Sequence, residues 1–78
     1  MKNATRRRII EAAASAIDQA TRDLQQVRED EQSAFDNLPE SLQGGEQGAK
    51  MEEGLSELDD AINNLESASE SLGNLNAS

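Results

Sequence analysis

Phe35-Asp36-Asn37-Leu38-Pro39-Glu40-Ser41-Leu42-Gln43-Gly44-Gly45 is the stretch that decides the fold. Elsewhere in the 78 residues the pattern is that of a long amphipathic helix, and here the pattern breaks. Pro39 has no N–H and disfavours the helical conformation at Leu38, so a first helix ends by about Asn37. Gly44, Gly45 and Gly48 loosen the backbone and predict a flexible linker before a second helix. Leu38 to Leu42 is predicted to add one extra turn, with Pro39 at its first helical position. Phe35, Leu38, Pro39 and Leu42 form an apolar corner that either caps a helical core or anchors a partner.

Toward the N-terminus, a seven-residue repeat places Ile10, Ile17, Leu24, Glu31 and Leu38 in one core row. A second row is read as Ala13, Ala20, Val27 and Ala34. Such a repeat implies packing against another helix with a coiled-coil-like crossing. Ile9, Ala12, Ala14 and Ala16 widen the apolar surface well beyond one stripe, which argues for burial on more than one side. Glu31 interrupts the row and is read as a point where the helix end splays toward solvent. Asn3 or Thr5 is the expected N-cap. Arg6, Arg7 and Arg8 then fall in the first turn, where the helix dipole disfavours cations. They are read either as partners of the chain's own acids or as an anion-binding or intersubunit site.

Toward the C-terminus, Met51, Leu58, Leu65 and Leu72 form one row and Leu55, Ile62 and Ser69 the other, flanked by the small residues Gly54, Ala61 and Ala68. Gly73 is expected to stop this helix. The domain reading is therefore a single unit over 1–78: an arm at 1–5, a helix at 5–36, a corner at 37–47, a helix at 47–72 and a tail at 73–78. The fold class is all-α, a two-helix antiparallel hairpin. With no Cys and one aromatic residue, the thin core is expected to be completed by a homo-dimer or higher bundle.

The net charge of −9 is unevenly placed. Residues 1–28 carry six basic side chains against three acids, whereas residues 29–70 carry thirteen acids against Lys50 alone. Acids in that excess repel nucleic acid and anionic lipid and attract basic surfaces. No direct DNA binding and no membrane association are expected. No apolar run reaches the roughly 20 residues that cross a bilayer, and the Glu after Ile9-Ile10 interrupts any signal-peptide core, so a cytoplasmic setting is expected.

Neither His nor Cys is present, which removes imidazole and thiolate chemistry. No phosphate loop, EF-hand or Glu-x-x-His pattern occurs. No catalytic residue, metal ligand or cofactor is assigned, and no enzymatic activity is expected. The candidate site is a surface. Glu52, Asp59 and Glu66 recur every seven residues, flanked by Glu53, Glu57, Asp60 and Glu70, and form a carboxylate rail along a rigid helix. Such a rail fits a protein partner with a basic surface, because its charges are held in place before binding.

Asp30 to Gln43, followed by Gly48, Met51-Glu52 and Leu55 through Leu65, resembles a group of small acidic phage and prophage proteins that share the Phe-Asp-Asn-Leu-Pro-Glu corner. The resemblance covers roughly residues 28–70. It implies a phage-derived protein acting inside a bacterial cell, a setting in which small acidic proteins often inhibit host defence, anti-CRISPR proteins among them. Arg6-Arg7-Arg8 departs from a wholly acidic mimic of DNA. The functional expectation is an inhibitor of a host defence or nucleic-acid-handling complex. Its alternatives are a self-assembling structural or adaptor bundle, and a small-molecule or nucleotide binder at a subunit interface.

Overall fold

The computed structural model describes residues 3–77, and these are all-helical. Three helices follow in order: α1 (Ala4–Asp36), α2 (Glu40–Gln43) and α3 (Glu46–Ala77). α1 begins where a capping residue allows it. The Asn3 side chain accepts a hydrogen bond from the Arg6 N–H at 3.1 Å, and its carbonyl accepts from Arg7 N–H. Along its surface Gln19, Gln26 and Gln32 each donate to the Asp four residues on, at 2.9, 3.1 and 3.0 Å. Such pairs add about 0.2–0.5 kcal/mol apiece to a helix.

α1 ends at Asn37, whose N–H reaches the Ser33 carbonyl at 3.1 Å. Pro39 adopts an extended ψ of 147° and precedes α2 as its cap; it does not occupy the first helical position. The Leu38 N–H donates to the Phe35 carbonyl at 3.0 Å, and a side chain from beyond the turn adds to it. Gln43 Nε2 donates to the Phe35 and Leu38 carbonyls, both at 3.1 Å. One side chain thereby ties α2 back to α1.

The expected glycine linker is much tighter than its composition suggests. Gly44 caps α2, the Gly45 carbonyl accepts from Ala49 N–H at 3.0 Å, and α3 starts at Glu46. Gly48 lies inside α3, buried against the backbone of Gln43. A Cβ there would fall on the Gln43 carbonyl and lie 2.8 Å from its Cα, so this glycine serves close approach and not flexibility. Gly73 likewise does not stop α3, which continues to Ala77. No described glycine has a positive φ, so Gly73 sits in ordinary helix and leaves the carbonyl ladder intact. Of the expected tail, 74–77 is helical and Ser78 lies outside the described residues, as do Met1 and Lys2 of the expected arm.

α1 and α3 pack along their length into a body of 59 × 14 × 12 Å. Asp18 meets Ser69 and Arg28 meets Asp59, so the long helices run in opposite directions. On α3 the inward row is Gly48, Met51, Leu55, Leu58, Ile62, Leu65, Ser69, Leu72 and Asn76. On α1 it is Ile10, Ala14, Ile17, Thr21, Leu24, Arg28, Glu31 and Phe35, continued past the helix end by Leu38. The second α1 row is thus offset by one residue from the expected Ala13, Ala20, Val27 and Ala34. Val27 is 48% exposed and Ala13 and Ala34 are exposed, while Ala20 is half-buried beside the row. Thr21 fits the inward row because its hydroxyl donates to the Ile17 carbonyl at 2.9 Å. Glu31 is half-buried and α1 continues packed past it to Phe35, so no splaying occurs there. Ile10, Leu55 and Ile62 are the buried apolar residues, and among the described residues no large side chain is completely enclosed. The core is a single seam.

Candidate functional site

Glu52, Asp59 and Glu66 each follow a core residue by one position, so they line the edge of the seam on one side. Of the rail only Asp59 is half-buried; Glu52, Glu53, Glu57, Asp60, Glu66 and Glu70 are exposed. Asp59 is not available in the same sense as its neighbours. Arg28 Nε donates to its Oδ1, and Arg28 Nη2 lies 3.4 Å from Oδ2.

This pair links the helices across the seam with both side chains partly in solvent, at 35% and 49% exposure. The hydrogen bond that Arg28 donates to Asp59, and then the attraction of the carboxylate charge, hold the Arg28 pKa above its ordinary value. Because the folded value is the higher one, the stability linked to this guanidinium's protonation is present below the arginine range and is lost as pH climbs through that range. A partly exposed pair of this kind contributes little to stability.

Two grooves open beside the rail. The first, about 450 Å³, is lined by Gln32 and Phe35 from α1 and by Glu52, Leu55, Ser56 and Asp59 from α3. Its floor is apolar and its α3 rim is acidic. The second, about 270 Å³, is lined by Asp18, Thr21, Arg22, Glu66 and Ser69. There Ser69 Oγ donates to Asp18 Oδ1 at 3.0 Å. The first groove joins two features that the sequence presents separately, the rail and the apolar corner. Phe35 contributes to it, and Leu38 is half-buried at the end of the seam. Pro39 and Leu42 stay outside, Leu42 at 43% exposure. The corner therefore splits, with two residues closing the core and two facing out.

Arg7 and Arg8 are exposed and make no ion pair with a described residue. Their antiparallel placement puts them at the open end of the molecule, past the acids of the rail. The cation that meets the rail is Arg28, which sequence reading left unassigned. Its signal was its place four residues after Leu24 and three before Glu31, a spacing that continues the inward row.

Among the described residues no cluster of acids is placed to hold a metal ion, and no helix is long and apolar enough to cross a membrane. What the site can do is electrostatic: it offers fixed carboxylates beside a small apolar cleft to a cationic, partly apolar surface. Comparison with protein-family models, with curated proteins and with solved structures finds no match.

Proposed function

We propose that this chain is a non-enzymatic binding protein, a phage-type inhibitor that presents the acidic side of α3 to a basic surface of a host defence or nucleic-acid-handling complex. In this reading the molecule is an antiparallel helical hairpin that self-associates. The observation that carries the reading is the excess of acid around α3. Residues 29–70 hold thirteen acids against one lysine, and among the described residues Asp59 is the one rail carboxylate held in an ion pair. Carboxylates fixed on a long helix need little ordering on binding, so their attraction goes into affinity and on-rate. Glu52, beside Phe35 and Leu55, adds a place where an arginine or lysine stem can lie against apolar surface.

The test separates the rail from the fold. Glu52, Glu53, Glu66 and Glu70 are changed together to Gln, leaving Asp59 with Arg28. Affinity capture from a bacterial lysate is then compared with wild type, with elution by salt. The expected result is loss of a salt-labile, basic partner with helicity unchanged. Full retention of that partner rejects the rail.

A second reading, a self-assembling structural or adaptor bundle, is favoured by a different observation. Ile9 is 65% exposed and Val27 48% exposed on the other side of α1. A stable multimer with no salt-labile capture supports that reading over the inhibitor.

A further inference from the structure

The row that α1 turns outward reads Arg6, Ile9, Ala13, Ala16, Ala20, Asp23, Val27, Asp30 and Ala34. At about 100° per residue it lies roughly a quarter-turn from the inward row. On α3 the row in the equivalent position, again one residue before the inward row, is Lys50, Gly54, Glu57, Ala61, Asn64, Ala68, Ser71 and Leu75. Both helices are right-handed and they run oppositely, so the two rows fall on the same side of the pair. That side is opposite to Glu52, Asp59 and Glu66. It carries most of the outward small and apolar residues, with Asp23, Asp30 and Glu57 among them, and on it Ile9, Val27 and Leu75 stand out at 65%, 48% and 38% exposure.

We infer that this second side is the contact with another copy of the chain, across a two-fold axis that passes α1 near position 18 and sets α1 antiparallel to its counterpart. The row pairs with itself better in that arrangement than in a parallel one. Antiparallel, Ile9 faces Val27 of the second copy, Ala16 faces Ala20, Arg6 faces Asp30, and Asp23 falls on the small Ala13 and not on another acid. Each contact occurs twice, as an isologous interface requires. Parallel packing would set Asp23 on Asp23 and Asp30 on Asp30, like charge on like charge. The alanines at 13, 16 and 20 let the axes approach closely at the centre.

The same axis brings the α3 helices alongside each other near Ala68. Every neighbour in the resulting four-helix bundle is then antiparallel. The overlap spans roughly 40 Å of α1. With the 14 Å breadth of the molecule it covers roughly 600 Å² on each copy, at the small end for specific interfaces. Association is accordingly concentration-dependent. This deepens the self-association within the proposed function and does not depend on which partner the acidic side meets.

The chain contains no cysteine, which makes the register directly readable. Chains carrying Ile9→Cys are mixed with chains carrying Val27→Cys and treated with a short bis-maleimide. The expected product is the mixed dimer linked between 9 and 27. Predominance of 9-to-9 and 27-to-27 products overturns the antiparallel register. In parallel, sedimentation of the full chain is compared with Ile9→Glu, a substitution at an exposed site whose helicity is checked by circular dichroism. Self-association is expected to weaken about tenfold or more, as apolar contact is replaced by charge. A wild-type chain that stays monomeric, or a dimer indifferent to Ile9→Glu, overturns the interface. Capture of a basic partner by the Ile9→Glu chain is expected to persist. Its failure, with the register products as expected, counts against the rail and not against this contact.

Discussion

α1 and α3 are nearly equal in length, 33 and 32 residues, yet they use their apolar residues in opposite ways. α3 turns its best row inward, and Leu55 and Ile62 on it are buried. α1 sends Thr21, Arg28 and Glu31 into the seam while Ile9, Ala13, Ala16 and Val27 face out. A helix that gives polar residues to its own seam and keeps apolar ones outside has two jobs. It covers α3, and it offers a second face. The difference teaches that the seam alone does not account for the distribution of hydrophobic residues in α1.

The sharpest way to break this comparison is to truncate one apolar residue on each helix. Ile62→Ala is expected to cost about 2–4 kcal/mol in denaturant unfolding, because it leaves a cavity in the seam. Val27→Ala, measured at dilution, is expected to cost less than about 0.5 kcal/mol, as at other surface sites. Equal costs would mean that the two helices do not differ as described.

Gly48 marks the start of the inward row of α3, where the backbone of Gln43 leaves no room for a side chain. Gly48→Ala is expected to cost about 1–3 kcal/mol as the corner shifts to accept the methyl. A neutral result would show that the corner is loose. At the other side of the same turn, Gln43→Ala removes the side chain that holds the Phe35 and Leu38 carbonyls. Water can replace it in part, so the expected loss is about 0.5–1.5 kcal/mol.

Gly73 is the counter-case, since a Cβ there meets nothing within 4 Å. Gly73→Ala is expected to raise stability by about 0.5–1 kcal/mol, the ordinary gain from removing glycine inside a helix. Smallest of all is Arg28→Leu combined with Asp59→Asn. A leucine on the inward row replaces a partly exposed ion pair, so the melting temperature is expected to hold or rise. A clear fall would give the pair a larger part in holding the helices than its exposure suggests.

The helical class and the break at Pro39 were legible, because proline acts on its own residue and the one before it. The inward row of α3 was legible from Met51 to Leu72 for a similar reason: Leu, Ile and Met recur there at heptad spacing, whereas Gly48 and Asn76, which extend it, carry no apolar side chain. α1 was misread by one residue in its second row. Ala13, Ala20, Val27 and Ala34 are more apolar than Ala14, Thr21, Arg28 and Phe35, and the more apolar row was taken as the inward one. Apolarity identifies faces that avoid water and does not say which neighbour covers each.

Glycines misled for a related reason. Their freedom suggested a linker at 44–48 and a stop at 73, but at Gly48 what matters is the missing side chain. At Gly73 no capping contact asks for a left-handed residue. The rail could be placed by its spacing, whereas the engagement of Asp59 by Arg28 depends on how the two helices meet. That register is set by packing over the whole length, which no local pattern contains.

The central claim is that the chain reverses at Pro39 and sets α1 beside α3. Spin labels at Ser15→Cys and Ser71→Cys, both exposed, diluted with unlabelled chain, test it in one distance. The described packing predicts a separation under about 20 Å, the spacing of neighbouring helices plus the labels. A distance approaching roughly 80 Å, as an unbroken helix would give, would contradict it.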